Sequence, residues 1–174
     1  KIVEQGKKAV GNPNLTVRLL PINAQNRITL MQNGTIDLEC GGTSNTADRR
    51  KQVEFSNSLS ITQARLLTRK DSGVKEWSDL SNKTVVVTAG TTSERFLREY
   101  IDKTHAPITI VSAKDHAQAF ILLQSGRAAA FFRDPDVLRA TMAQGQACTS
   151  FSLTAHAQSP AAVACTHRSD RPGI

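Results

Sequence analysis

Long apolar runs, aromatic side chains and paired metal ligands are what this chain has least of. No apolar stretch approaches the roughly 20 residues needed to cross a bilayer. Aromatics make up 5% of the residues, and the Lys and Arg residues are scattered rather than striped among them. Without a helix-turn-helix, zinc-finger or RNA-recognition signature, the net charge of +7 does not point to nucleic acid. The three cysteines, Cys40, Cys148 and Cys165, show no C-x-x-C spacing and no histidines at ligating intervals, so neither metal nor cofactor is expected. An oxidising compartment would allow one disulfide, with Cys148 and Cys165 as candidates and Cys40 left free in a strand; spacing alone does not decide it. The G-x-S-x-G elbow, the H-E-x-x-H helix and the G-x-x-x-x-G-K-[ST] phosphate loop are all missing, so no catalytic residue is nominated.

What is present fits a soluble globular chain. An apolar fraction of 39% against 21% charged can build a real core, and 174 residues suit one large domain or two small lobes. Residues 2–10 read as a helix that the chain enters without a leader, and the polar stretch 168–174 ends it, so both ends read as cut. Strands are expected at Thr16–Leu20 and Ile36–Cys40, with a helix carrying Ile28, Leu30 and Met31 between them and Asn33-Gly34 ending it. That alternation suggests a parallel sheet. After Val53-Glu54-Phe55, the strand Ala64–Thr68 leads away, and a crossing between lobes is placed near 64–70. A second set follows: a β-branched strand at 84–88, a helix holding Phe96 to Ile101, a strand at 108–111, a helix at 116–124, a buried strand at 128–132, a helix opened by Asp134-Pro135, and late strands at 151–153 and 161–165.

Two loops carry most of the chemistry. Cys40-Gly41-Gly42-Thr43-Ser44-Asn45-Thr46-Ala47-Asp48-Arg49 follows an apolar strand, combines glycines that let backbone approach a ligand with small hydroxyls, and closes on an Arg shaped to hold a carboxylate. Its plainer reading is a surface turn before a solvated helix. Gly90-Thr91-Thr92-Ser93 lies between a strand and a helix, where free N–H groups, hydroxyls and the positive dipole end favour an anion; its plainer reading is a helix cap. Asp134 ends an apolar strand, where open α/β sheets place ligand groups, and also suits an N-cap. His116 starts a helix whose dipole opposes its protonation, which a bound carboxylate would favour; otherwise it is a surface His. Arg27 is by default an exposed helix residue.

Taken together, Gln25-Asn26-Arg27-Ile28, Leu30-Met31-Gln32-Asn33-Gly34-Thr35-Ile36-Asp37-Leu38-Glu39-Cys40-Gly41, Arg65-Leu66-Leu67-Thr68, Val85 to Thr88 with Gly90 to Ser93, Ser112-Ala113-Lys114-Asp115-His116, and Ser125-Gly126-Arg127 with Asp134 resemble the family 3 solute-binding proteins of bacterial polar amino-acid ABC transporters. The nearest branch binds glutamate and aspartate. The resemblance runs from about residue 15 to about 165. It implies a type II periplasmic binding protein: two α/β lobes joined by a two-strand hinge, with residues 1–66 as lobe 1, 67–158 as lobe 2 and 159–174 returning to lobe 1.

By that resemblance Arg49 holds the ligand α-carboxylate with Thr92 and the Gly90 loop. Asp134 takes the α-ammonium with Ser44 and the backbone near Gly42, and Arg27 and a partly protonatable His116 meet the side-chain carboxylate. The implied partners are glutamate or aspartate and a membrane permease, in the periplasm, with no nucleic acid; the chain is expected to be a monomer, or an oligomer through its first lobe. Gly42 stands where the family usually has a hydroxyl residue and Ala24 where the acidic branch often has Ser. The family's first strand has no counterpart before Lys1 and its closing helices are absent, so the first lobe is expected to be incomplete. The rival readings are a sensory module of a larger receptor and a dehydratase-like enzyme on the same fold, for which Glu94 is the one weak acid–base candidate.

Overall fold

The structure, a computed structural model, describes residues 2–144, 150–154 and 161–168. Its largest element is a five-stranded sheet in the order β6-β5-β7-β4-β8. The strands are β4 (Arg65–Arg69), β5 (Thr84–Thr88), β6 (Thr109–Ala113), β7 (Ala130–Arg133) and β8 (Phe151–Leu153). β5 runs parallel to β6 and β7, while β4 is antiparallel to both β7 and β8. The helices α4 (Thr92–Thr104), α5 (His116–Gln124) and α6 (Pro135–Gln144) supply the connections and cover the faces.

Strand periodicity divides the core. Leu67, Val86, Phe131 and Leu123 build one layer with Phe120, Leu138 and Phe151. Leu66, Val85, Val87 and Phe132 build the opposite layer with Leu80 and Leu97, edged by Trp77 and Tyr100. Val85, Val86 and Val87 are all fully buried, as expected of a central parallel strand covered on both faces. Burying one such side chain contributes about 1.5–3 kcal/mol, so this sheet carries most of the buried apolar core among the described residues.

The rest is smaller and antiparallel. Helix α1 spans Ile2–Val10 as expected, and α2 spans Arg27–Gln32. Strand β1 (Leu38–Glu39) and β2 (Glu54–Phe55) flank β10 (Thr166–His167), which returns between them. Met31, Ile36 and Val53 form this region's core, with Leu20, Ile22, Ile28 and Phe55 against them. The alternation of helix and strand at the start suggested a parallel sheet, but both pairings here are antiparallel because the middle strand arrives from the far end of the chain. Thr16–Leu20 is not a strand: Val17 and Leu19 lie exposed, and no ladder partner among the described residues holds the segment.

Two short strands link the halves. β3 (Ser60–Thr62) pairs antiparallel with β9 (Ala161–Val163) in a two-stranded ladder, and Ser44 adds an isolated bridge to Val163.

A disulfide joins Cys40 to Cys165 across 125 positions of sequence. This corrects the candidate pairing of Cys148 with Cys165. Leu38 opposes His167 and Glu39 opposes Thr166, so the next antiparallel step sets Cys40 opposite Cys165. Cys148 lies outside the described residues.

Candidate functional site

The carboxyl ends of the parallel strands carry one side of the site. Gly90 follows β5, His116 follows β6, and Arg133 and Asp134 end β7. The loop after β1 supplies the other side, with Gly42, Ser44 and Arg49, and α2 supplies Arg27.

Glu39 holds that loop. It is buried in β1, and its oxygens accept from the Gly41 N–H at 2.8 Å, Thr43 Oγ1 at 2.6 Å and Thr166 Oγ1 at 3.2 Å. Its carboxylate also stands 4.0 Å from Arg27 Nη1. These bonds fix the side chain and, through it, the Gly41–Thr43 turn. The Thr46 hydroxyl then caps α3 (Ala47–Arg50) through the Arg49 N–H, which sets Arg49 on the first turn facing back to the loop.

Arg49 joins the two halves. Its Nη1 donates to the Ser44 carbonyl at 3.1 Å and its Nη2 to the Gly90 carbonyl at 3.3 Å. Ser44 Oγ and Thr92 Oγ1 share a hydrogen bond of 3.1 Å across the same gap. Further out, Arg95 meets Asp48 at 3.1 Å, an exposed pair of little energetic weight. Burial, then the neighbouring charges of Arg27, Arg133 and Arg95, push the Arg49 guanidinium down to about 10, so it is a cation at neutral pH.

Gly90 has a φ of +75° and sits so close to the other half that a Cβ there would lie 2.8 Å from the Gln25 Cα and 2.9 Å from the Ala24 carbonyl. Only glycine satisfies both demands. Glu94 buttresses this turn by accepting from the Gly90 N–H at 2.8 Å, and Thr91 caps α4 through the Glu94 N–H. Burial pushes the Glu94 carboxyl up, but hydrogen bonds from Ser112, Arg98 and Gly90 outweigh it and hold the group below its ordinary range.

Arg27 is buried rather than exposed, at 7% accessibility, and its Nε has no hydrogen-bond partner among the described residues. Burial lowers its pKa first, with Glu39 opposing and Arg133 adding to the effect. His116 is half-buried, with Nδ1 2.8 Å from Thr88 Oγ1. Burial, then Arg133 and Arg27, push it down to about 4, whereas a carboxylate placed beside it would act in the opposite direction. Asp134 is 5% exposed; its carbonyl accepts from the Leu138 N–H in the first turn of α6. Its carboxylate lies 2.8 Å from Arg133 Nη1.

All eight residues singled out in the sequence therefore belong to one connected cluster. Two were missed. Glu39 was read only as a strand residue, although a buried acid just before Gly-Gly is a signal for a structured loop. Arg133 falls between the strand expected to end at 132 and the helix opened by Asp134 and carries no reading there; it is 2% exposed, and a Cβ on Gly42 would lie 3.7 Å from its Nη2, so its guanidinium reaches the opposite loop.

The depressed His116 makes a pH prediction. With a folded pKa near 4 and an unfolded value near 6.5, the unfolded chain takes up a proton that the folded one refuses. The contribution to stability is full above about pH 6.5 and is lost as pH falls toward 4. The urea midpoint is expected to drop over that window more steeply in the natural chain than in His116→Asn. Parallel profiles would show that another group carries the effect.

Two α/β halves linked by a two-strand ladder, with polar loops meeting at the strand ends, define the type II periplasmic binding protein fold. The chain belongs to the bacterial extracellular solute-binding proteins, family 3, whose model matches residues 2–154. It is 43% identical over 171 residues to the glutamate/aspartate import solute-binding protein of Escherichia coli, covering 98% of this chain and 57% of that protein. It is 45% identical over 146 residues to the L-glutamate/L-aspartate-binding protein of Pseudomonas aeruginosa, covering 84% of this chain and 48% of the relative. The chain thus spans about half the length of these curated relatives. In structure it resembles the holo arginine-binding protein of T. maritima, with a TM-score of 0.81 at 24% identity over 97% of this chain and 72% of the other. A Streptococcus pneumoniae ABC uptake transporter substrate-binding protein with bound histidine gives 0.81 at 21% identity, over 97% and 70%. Likeness at that level speaks for the fold alone.

Proposed function

We propose that this chain captures an acidic amino acid, glutamate or aspartate, between its two lobes and presents it to the membrane permease of an ABC transporter in the periplasm. The lobes are taken as residues 1–66 and 67–158 with 159–174 returning, and closure turns on the β3–β9 ladder. One observation carries the reading: Arg27 and Arg49 from one side converge with Asp134 from the other in a single cluster, bridged by the Arg49–Gly90 contact. Three guanidiniums, Arg27, Arg49 and Arg133, set against the carboxylates of Glu39 and Asp134 leave the cleft positive, which suits a ligand with two carboxylates and one ammonium. The names of the E. coli and P. aeruginosa relatives support the same ligand class.

In this reading Arg49, with Thr92 and the Gly90 loop, takes the α-carboxylate. Asp134, Ser44 and the Gly42 backbone take the ammonium, and Arg27 with His116 takes the side-chain carboxylate. With the His116 imidazole held low by burial and by Arg133 and Arg27, Arg27 is the main charged reader of that carboxylate. A dehydratase would need an acid or base free in the cleft, and Glu94 is engaged at the Gly90 turn instead.

Calorimetric titration with glutamate, aspartate, glutamine and histidine tests the proposal; the acidic pair should bind and the others fail at comparable concentrations. Arg27→Gln is expected to cut the preference for glutamate over glutamine by about tenfold or more, since it removes the partner that only the charged ligand rewards. Equal weakening of both ligands would remove Arg27 from the role of side-chain reader.

A further inference from the structure

Arg133 is not accounted for by that division of labour. It is among the largest fully buried side chains of the molecule, it projects from the end of β7, and its guanidinium reaches the loop of the opposite lobe beside Gly42. Its Nη1 lies 2.8 Å from Asp134 Oδ2, with both side chains almost wholly removed from solvent, at 2% and 7%. Its Nε and Asp134 Oδ2 are both buried with no hydrogen-bond partner among the described residues, so the two side chains meet as an ion pair by charge and not through an aligned hydrogen bond. Glu39, the other acid of the cluster, is committed to Gly41, Thr43 and Thr166. Asp134 is therefore the carboxylate in the cluster available to a ligand ammonium, and a resident cation already stands on it.

The physical consequence concerns which part of a ligand is rewarded. An incoming α-ammonium must share Asp134 with a guanidinium that is held in place and desolvated, so it gains less there than at an unpaired carboxylate. An incoming carboxylate meets three cations, Arg27, Arg49 and Arg133, and Arg133 still has a donor to give. The guanidinium lies in van der Waals reach of Gly42, where even a Cβ would stand 3.7 Å from its Nη2.

We infer that Arg133 is a specificity-determining residue that stands in for the ligand ammonium at Asp134, so that the cleft accepts C5 dicarboxylates lacking an amino group nearly as well as acidic amino acids. The inference rests on the reading of the cleft as an acidic amino-acid site and names a broader substrate class for it.

Glutamate and glutarate differ by the ammonium alone, and calorimetry on the full chain with both is the test. The natural protein should bind glutarate within about tenfold of glutamate. Arg133→Met should move the ratio at least tenfold toward glutamate by freeing Asp134, and Arg133→Lys, which keeps the charge, should stay near the natural ratio. An unchanged ratio in Arg133→Met overturns the inference. If that variant fails to fold, the natural ratio decides: glutarate more than a hundredfold weaker than glutamate overturns the inference and leaves the amino-acid reading standing. Binding of neither ligand by the natural protein overturns both.

Discussion

Replacing Arg49 by alanine is expected to raise the dissociation constant for glutamate by between about thirtyfold and several thousandfold. The range corresponds to about 2–5 kcal/mol, the usual cost of leaving one member of a buried, hydrogen-bonded charge pair without its partner. Arg49 also reaches across the cleft to the Gly90 carbonyl, so the same substitution removes a contact that favours closure. Both losses fall on the ligand-bound, closed form. Stability of the free chain should fall by only about 1–3 kcal/mol, the worth of the side-chain bonds to the Ser44 and Gly90 carbonyls, because the helix cap Thr46 uses only the residue's backbone N–H. Calorimetry and thermal unfolding on the same preparation separate the two effects. Arg49→Lys should recover only part of the affinity, since an ammonium cannot make the two parallel bonds of a guanidinium. An unchanged dissociation constant in Arg49→Ala would remove it as the carboxylate anchor.

Much of the five-stranded half was legible because its signals are local. Val85-Val86-Val87 between polar neighbours reads as a buried strand. Asp115 accepting from the Gln118 N–H is a helix start visible in four residues, and Gly126, with a φ of +77°, is a helix end. The antiparallel half was less legible because its structure depends on residues far away in the chain. β10 is two residues long and has no periodicity of its own, yet it decides the direction of the sheet and the partner of Cys40. Thr16–Leu20 has good strand composition, but composition does not supply a neighbour, and Val17 and Leu19 remain in solvent.

The site followed the same division. Loop residues were nominated because glycine, hydroxyl and Arg in that order suggest ligand chemistry wherever they occur. What the order could not convey was the cluster's electrostatics. The ligand balance counts His116 but not Arg133, whose guanidinium adds to burial in pushing the imidazole down to about 4. Gly90 was picked out as an anion-binding loop residue; that it also presses on Ala24 and Gln25 of the other lobe depends on closure of the cleft.

The other large effect concerns the Cys40–Cys165 bridge. Cys40→Ser, or reduction of the natural protein, is expected to lower stability by about 2–5 kcal/mol, the range usual for loss of a native disulfide. Chain-entropy arithmetic sits at the upper end: closing a loop of 125 positions removes about 5 kcal/mol of freedom from the unfolded chain at 25 °C. For a chain of this size each kcal/mol moves the unfolding temperature by about 2–4 °C, so a loss of roughly 5–20 °C should be seen. The damage should also be local. The bridge fastens β10 between β1 and β2, and those ladders are only two residues each, too short to hold the returning segment by hydrogen bonds alone. Glu39, which orders the Gly41–Thr43 turn, takes one of its bonds from Thr166 on that same strand. Freed from Cys165, the loop that carries Ser44 and leads to Arg49 should lose order before the five-stranded sheet melts. Hydrogen exchange on the reduced protein is therefore expected to show faster exchange at residues 38–44 and 161–168 with protection kept at Val85–Val87, and glutamate binding should weaken in parallel. Uniform loss of protection in both halves would show that the bridge stabilises the molecule as a whole and has no particular hold on the binding loop.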